Sequence, residues 1–318
     1  MKTDNVIYML HCMTPVHVGA GQGVGAIDMP MIREKVTQWP YIPGSSIKGV
    51  HRDYFRNNAG LSSDAYVNIA FGKESSGSDT DGGAAGALVM SDARILVFPV
   101  ASGHGTFAYV TCPLVLKRLH RDLKATHMDM PGIHNILDKV NLLQKTALVH
   151  EDSKLLFQAE GTNSGSSTDT LSLDEFKFEA EKNPEFTEWA SSLAKQIFPE
   201  DDTISQTMLT ERIVLVSDEA FQYFVTMCSE IVPRIRMDTN TKTVGQGALW
   251  NEEYLPAEAI LYGIIWCDTS LSGKSSLKNQ DENLLSKLPD QAFLQIGGNA
   301  TVGKGRVRCN YIQRGAAK

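Results

Sequence analysis

Val6 to Met13 form a short apolar run of strand length, closed by Thr14-Pro15. Between Val16 and Glu34, glycines at 19, 21, 23 and 25 exclude a helix and predict a loop or irregular hairpin. Apolar Ile47, Val50, Tyr54 and Phe55 then recur at helical spacing, with Gly44 and Ser45 or Ser46 as the cap. Lys73 to Gly86 is rich in glycine and serine and predicts a surface loop, whereas Leu88–Val97 and Phe107–Leu116 predict strands. Leu119–Leu143 has helical spacing broken at Pro131-Gly132, Lys154–Glu160 reads as a strand, and a polar tract fills 161–168. Leu173–Phe198 is assigned to one amphipathic helix, with a loop at 201–206. Arg212–Val216 predicts a strand, and Asp218 caps a helix from Glu219 to Cys228. Pro233 to Pro256 surrounds a Gly-rich turn with polar and β-branched residues and predicts a projecting hairpin. A strand at Ala259–Cys267, a helix at Glu282–Leu288 and a strand at Ala292–Ile296 follow; a second glycine loop and a strand at Arg306–Ile312 end the pattern. Strand–helix–strand units with local hairpins predict an α+β fold, a mixed or antiparallel sheet covered by helices.

The chain of 318 residues is 42% hydrophobic, enough apolar area to exclude a disordered protein and to fill one large domain with insertions or two small ones. No apolar run reaches the ~18 residues of a membrane span, and Asp4 stands where a signal peptide is basic. The expectation is a soluble cytoplasmic protein without a membrane partner. Cys12, Cys112, Cys228, Cys267 and Cys309 are scattered without zinc-site spacing, which predicts reduced thiols. A net charge of −7 argues against nucleic acid until its distribution is read. Residues 151–202 hold thirteen acidic side chains against four lysines, so the rest of the chain is slightly positive and has room for a local basic groove.

Two glycine loops invite a nucleotide reading and fail it. Gly21, Gly23 and Ala26 match a dinucleotide fingerprint, but extended Met29–Ile32 follows instead of a helix. Gly298 to Lys304 approaches a P-loop, yet Gly305 replaces the magnesium-binding hydroxyl and too little chain remains for the helix. The backbone N–H groups of such loops still approach phosphates closely, so Gly298, Lys304 and Arg306 are candidate RNA contacts. Ser45, Ser46, Lys48 and Arg52 place two hydroxyls and two cations on neighbouring helical turns, a seat for a phosphate or an ordinary capped helix. Asp28 is set among apolar neighbours, where a carboxylate coordinates a divalent metal, orients a nucleophile, or closes a turn on its own backbone. His17 is either its companion or a packed core histidine. In the hairpin, Arg234 and Arg236 share a strand face by alternation, with Met237 and Trp250 as wedges for single-stranded RNA. Glu252, Glu253 and Tyr254 follow, as carboxylates or a phenol near a scissile phosphate, or as a solvated edge.

Residues 14–55 resemble the N-terminal signature of the RAMP superfamily of CRISPR proteins, and residues 296–309 resemble its terminal glycine-rich loop. With the late hairpin, the ordered set is most similar to the backbone subunits of type III-B (Cmr) effector complexes. The resemblance implies an RRM-like, ferredoxin-type palm in a single domain over 1–318. Helical fingers are expected at about 115–205 and a thumb hairpin at about 235–255. It further implies a guide-RNA-binding endoribonuclease whose copies stack in a helical filament with other Cmr complex subunits. Target single-stranded RNA is cut at regular intervals with a divalent metal, Mg or Mn. Asp28 matches the family's loop aspartate, His17 a neighbouring histidine, and Glu252 to Tyr254 the acidic and aromatic stretch of the thumb. Ser45, Ser46, Lys48 and Arg52 match guide-backbone contacts. A non-catalytic structural subunit of the same assembly and a guide-processing endonuclease are the alternatives.

Overall fold

The computed structural model describes residues 5–21, 23, 27–58, 63–73, 83–138, 146–158, 169–238, 240–268 and 284–313. Most of the Lys73–Gly86 loop, the 161–168 tract, Gly25 and part of the helix expected before Leu143 lie outside them. Among the described residues, thirteen strands join one mixed sheet. Its order runs Gln291–Gln295, Arg306–Gln313, Asn5–Cys12, Ile260–Cys267, Ala93–Ala101, Phe107–Thr111, Ile213–Leu215, Thr146–Val149, Phe176–Lys182, Asp169–Leu173 and Phe157–Gln158. Tyr41–Ile42 and Leu88–Met90 pair from the side.

At its heart, the first strand Asn5–Cys12 lies between the last strand, Arg306–Gln313, and Ile260–Cys267, both antiparallel to it. Ala93–Ala101 adds antiparallel to Ile260–Cys267. The order is therefore fourth, first, third, second, with the first helix, Gly44–Asn57, in the connection from first to second. The first strand is an apolar run because both faces are covered. Tyr8 turns toward the first helix, where its ring meets His51. His11, of opposite parity, turns toward Phe198 at the end of the helix Pro184–Ile197.

Several elements differ from the sequence pattern. The helix expected over Leu173–Phe198 is confined to Pro184–Ile197, because Asn183 caps it and Pro184 starts it. Asp169–Leu173 and Phe176–Lys182 form a hairpin instead. Alternation along FKFEAEK is the strand signal that the longer apolar spacing overrode. The strand expected to reach Leu116 stops at Thr111, and Pro113 opens a helix to Ala125. Thr203–Thr210 is helical, with Asp202 accepting the N–H of Ser205, where a loop was expected. Ser217, not Asp218, caps the helix Asp218–Met227. Segment 115–205 thus carries helices together with strands that extend the central sheet.

The late hairpin pairs Glu230–Met237 with Val244–Tyr254 outside the large sheet. Pro233 is tolerated because the pair has only one partner per strand. A register shift between Ile235 and Met237 interrupts the alternation, so Arg234 and Arg236 do not share a regular strand face. All five cysteines are free thiols.

Candidate active site

The site is assembled where the Gly-rich loop meets the base of the hairpin. Met29 forms a parallel bridge with Glu252. Its N–H donates to the carbonyl of Asn251 at 3.0 Å, and its carbonyl accepts the N–H of Glu253 at 3.0 Å. The loop is thereby laced to the hairpin like a third strand, and Asp28 stands at the lacing's first position. The exposed Asp28 carboxylate accepts the backbone N–H of Asn251 through Oδ2 at 2.7 Å. A turn aspartate would bond within its own loop; this one is oriented by the hairpin.

The other expected acidic residues face inward. Opposed residues of an antiparallel pair share a face, so Glu252 lies with Tyr254, Trp250 and Arg234, and Glu253 lies with Ile231 and Asn251. Glu252 is 4% exposed and accepts from the Tyr254 hydroxyl, from Trp250 Nε1 at 2.8 Å and from Asn299 Nδ2 at 2.9 Å. Burial opposes its charge, but the Tyr254 and Trp250 bonds and the nearby Arg234 guanidinium hold its carboxyl below the ordinary value. Burial, and then the bond to Glu252, push the Tyr254 phenol up to about 12, so it stays protonated at neutral pH. Lys304 Nζ lies 4.7 Å from the Tyr254 ring centroid and 3.3 Å from Glu230.

Glu253 is 3% exposed and fully occupied. Its Oε1 accepts from Arg33 at 2.6 Å and from the Ser229 hydroxyl at 2.7 Å, and its Oε2 accepts the N–H of Met31 at 3.1 Å. His17 is 6% exposed and beside Tyr254. Its Nδ1 lies 2.7 Å from the Glu253 carbonyl, which only accepts, so Nδ1 carries the proton. Gly297 seals this histidine: at φ +79° it approaches so closely that a Cβ would fall 2.1 Å from the His17 carbonyl oxygen.

Asp28, His17, Glu252, Glu253 and Tyr254 are therefore neighbours, and Asp28 is the one among them that faces solvent. Sequence reasoning missed Arg33, Ser229, Asn251 and Asn299. Asn299 left a signal, an asparagine inside a glycine loop, and it adopts the left-handed conformation that asparagine tolerates. Asn251 acts through its backbone and leaves none. No three His, Cys, Asp or Glu side chains converge on a metal-sized point among the described residues.

A family profile described as the RAMP superfamily matches residues 9–308. The chain belongs to the RAMP superfamily. A RAMP relative from Pyrococcus furiosus, "CRISPR system Cmr endoribonuclease Cmr4", is 33% identical over 299 residues, covering 94% of this chain and 92% of its own. "CRISPR system CMR subunit Cmr4" of Saccharolobus solfataricus is 21% identical, covering 96% of both chains. The crystal structure of oligomeric Cmr4 from Pyrococcus furiosus superposes with a TM-score of 0.68 at 27% identity, over 98% of this chain and 99% of that one. A chain of the type III-B Cmr-beta complex bound to cognate target RNA shares the fold, with a TM-score of 0.68 at 19% identity over 96% of both chains.

In this RAMP chain the expected RNA contacts fall into two groups. Ser45 is exposed, and Ser46, Lys48 and Arg52 are half-buried on the first helix. Neither serine caps that helix; the Gly44 N–H donates to Asp92 Oδ1 at 2.7 Å, so both hydroxyls are left for other partners. Burial, then the neighbouring Arg52 charge, lower the Lys48 pKa from its ordinary value, an imbalance that a bound anion relieves. The second group follows the hairpin and the glycine loop. Arg236 and Met237 are exposed, Arg306 stacks 5.5 Å from the Phe293 ring centroid, and Gly298 is exposed beside His17. Arg234, Trp250 and Lys304 are half-buried and engaged with Glu252, Glu230 and Tyr254.

Proposed function

We propose that this chain is a guide-RNA-binding subunit of a type III-B CRISPR effector complex and cleaves complementary target RNA as an endoribonuclease. The name of the Pyrococcus furiosus relative supports the activity. The observation that carries the site is the Asp28 carboxylate, exposed on one side and fixed by Asn251 of the hairpin on the other. The hairpin's tip presents Ile235, Met237, Val244 and Leu249 to solvent, an apolar surface suited to unstacked bases. A nucleotide displaced by it has its backbone splayed beside Asp28. The ribose 2′-OH then reaches in-line geometry with its own 3′-phosphate, and alignment is the main requirement of the reaction. The bond from phosphorus to the 5′-oxygen breaks, leaving a 2′,3′-cyclic phosphate and a 5′-hydroxyl.

One exposed carboxylate would suit a largely hydrated Mg2+ or Mn2+ and not a closed protein cage. Such an ion supplies charge stabilisation for the phosphorane-like transition state. Asp28 would hold it, Asn251 fixes the carboxylate rotamer, and Glu252 with Tyr254 secures the hairpin base. Copies of the chain along one guide repeat the carboxylate at a constant interval, which spaces the cuts.

Asp28→Ala in the guide-loaded complex is expected to slow single-turnover target cleavage at least about a hundredfold while leaving assembly and target affinity unchanged. Undiminished cleavage at saturating target overturns the assignment.

A further inference from the structure

The Arg33 guanidinium touches three separate parts of the site's scaffold. Through one terminal nitrogen it donates to Glu253 Oε1 of the hairpin at 2.6 Å. Through the other it donates to the carbonyl of Val225, in the last turn of the helix Asp218–Met227, at 2.9 Å, and to the carbonyl of Gln38 at 2.7 Å. Both side chains of the ion pair are largely buried, at 14% and 4% exposure. Glu253 spends its remaining capacity on the loop and on the strand entry, through Met31 and Ser229. Its carbonyl orients His17. Asp28, by contrast, stands exposed.

We propose that Arg33 and Glu253 are positioning residues for RNA cleavage: their buried pair fixes the register of the Asp28 loop on the hairpin and so sets where the Asp28 carboxylate meets the scissile phosphate. This rests on the reading of Asp28 given above. The geometry that carries it is a lever. Asp28 and Arg33 are five residues apart on one loop. Between them Met29 and Met31 bond to Asn251 and Glu253 by backbone and carboxylate. Removing the far anchor leaves the loop held to the hairpin by the Met29 backbone bonds, and the Asp28 carboxylate then shifts relative to the Asn251 N–H. A displacement near 1 Å costs a phosphoryl-transfer reaction about a hundredfold. Arg33 supplies donors in a planar fork to three acceptors, which a lysine ammonium cannot reproduce. Glu253 therefore differs from its neighbour Glu252, although the two are adjacent in sequence and share a charge.

The test compares Glu253→Gln, Arg33→Lys, Arg33→Ala, Ser229→Ala and Asp28→Ala in the reconstituted, guide-loaded complex. Single-turnover cleavage, target affinity and the Mg2+ and Mn2+ concentrations for half-maximal rate are measured well below each variant's unfolding temperature. Glu253→Gln and Arg33→Ala are expected to slow cleavage by about ten- to a hundredfold with target affinity within about twofold of the parent. Their half-maximal metal concentration rises, since the carboxylate is misplaced rather than lost, and Arg33→Lys recovers part of the rate. A purely structural role would lower the unfolding temperature and leave rate and metal dependence at the parent values, which overturns the proposal. If the pair variants fail to assemble, Ser229→Ala, which removes one bond to Glu253 and leaves the ion pair, decides: a fall of about threefold supports the latch, and an unchanged rate overturns it. An active Asp28→Ala complex refutes the catalytic reading itself. Inactive Asp28→Ala beside fully active pair variants refutes only the positioning role.

Discussion

His51 is a buried polar ring with both nitrogens engaged. Its Nδ1–H donates to the Ile47 carbonyl at 2.7 Å, and its Nε2 accepts the Tyr311 hydroxyl at 2.7 Å. The ring is fully buried, and burial lowers its pKa from the ordinary 6.5 to about 4. The unfolded chain therefore binds a proton that the folded chain refuses between those values. Stability contributed by neutral His51 is complete above pH 6.5 and is lost progressively as pH falls toward 4, by on the order of 3 kcal/mol. Thermal unfolding followed from pH 7 to 4.5 should show this slope, and His51→Gln, which keeps a donor and an acceptor, should flatten it. At the same scale, Glu252 and Glu253 demonstrate why sequence alone left their roles open. Adjacent residues of a strand face opposite ways, so one joins Tyr254 and Asn299 while the other joins Arg33 and Ser229.

The first helix was visible in its apolar spacing: Ile47 and Phe55 of the expected stripe are buried and Val50 and Tyr54 half-buried, while His51, outside that stripe, is buried with them. Its cap was not visible, because Asp92 comes from a strand connection nearly fifty residues later. Asp92→Ala is expected to destabilise the protein by about 1 kcal/mol, measured by denaturant midpoint, since one helix N–H loses its acceptor. Lys48 and Arg52 present charge on the same helix. Replacing both with alanine should weaken guide RNA binding and reduce the slope of log affinity against log salt by about 1.4, as two phosphate contacts to a single strand are lost. An unchanged slope removes them from the guide path. Elements bounded by nearby breakers, such as the hairpin and the terminal strands, were readable from local pattern. Those decided by a single cap or proline, such as Asp169–Lys182 and Pro113–Ala125, were not, because apolar spacing there fits a strand and a helix about equally.

Across the whole molecule, the hairpin stands outside the central sheet and carries Ile235, Met237, Val244 and Leu249 on its surface, apolar area that a monomer rarely leaves uncovered. Ile235→Ser with Leu249→Ser is expected to leave the unfolding temperature nearly unchanged while reducing target cleavage and guide-dependent association of copies, read by sedimentation with and without RNA. The site was legible as a set of types and spacings around Asp28, whereas its partition into one exposed carboxylate and a buried frame needed three-dimensional contacts. The first strand closes against the last, and the site draws residues 17, 28, 253 and 299 from segments far apart in the chain. Asp28 and His17 lie more than 200 residues before the Asn251 and Glu253 that orient them, so an emerging chain carries both long before the hairpin that aims them. A fragment that stops short of the hairpin therefore holds its acidic group unaimed, and cutting waits on the union of two regions made far apart in time.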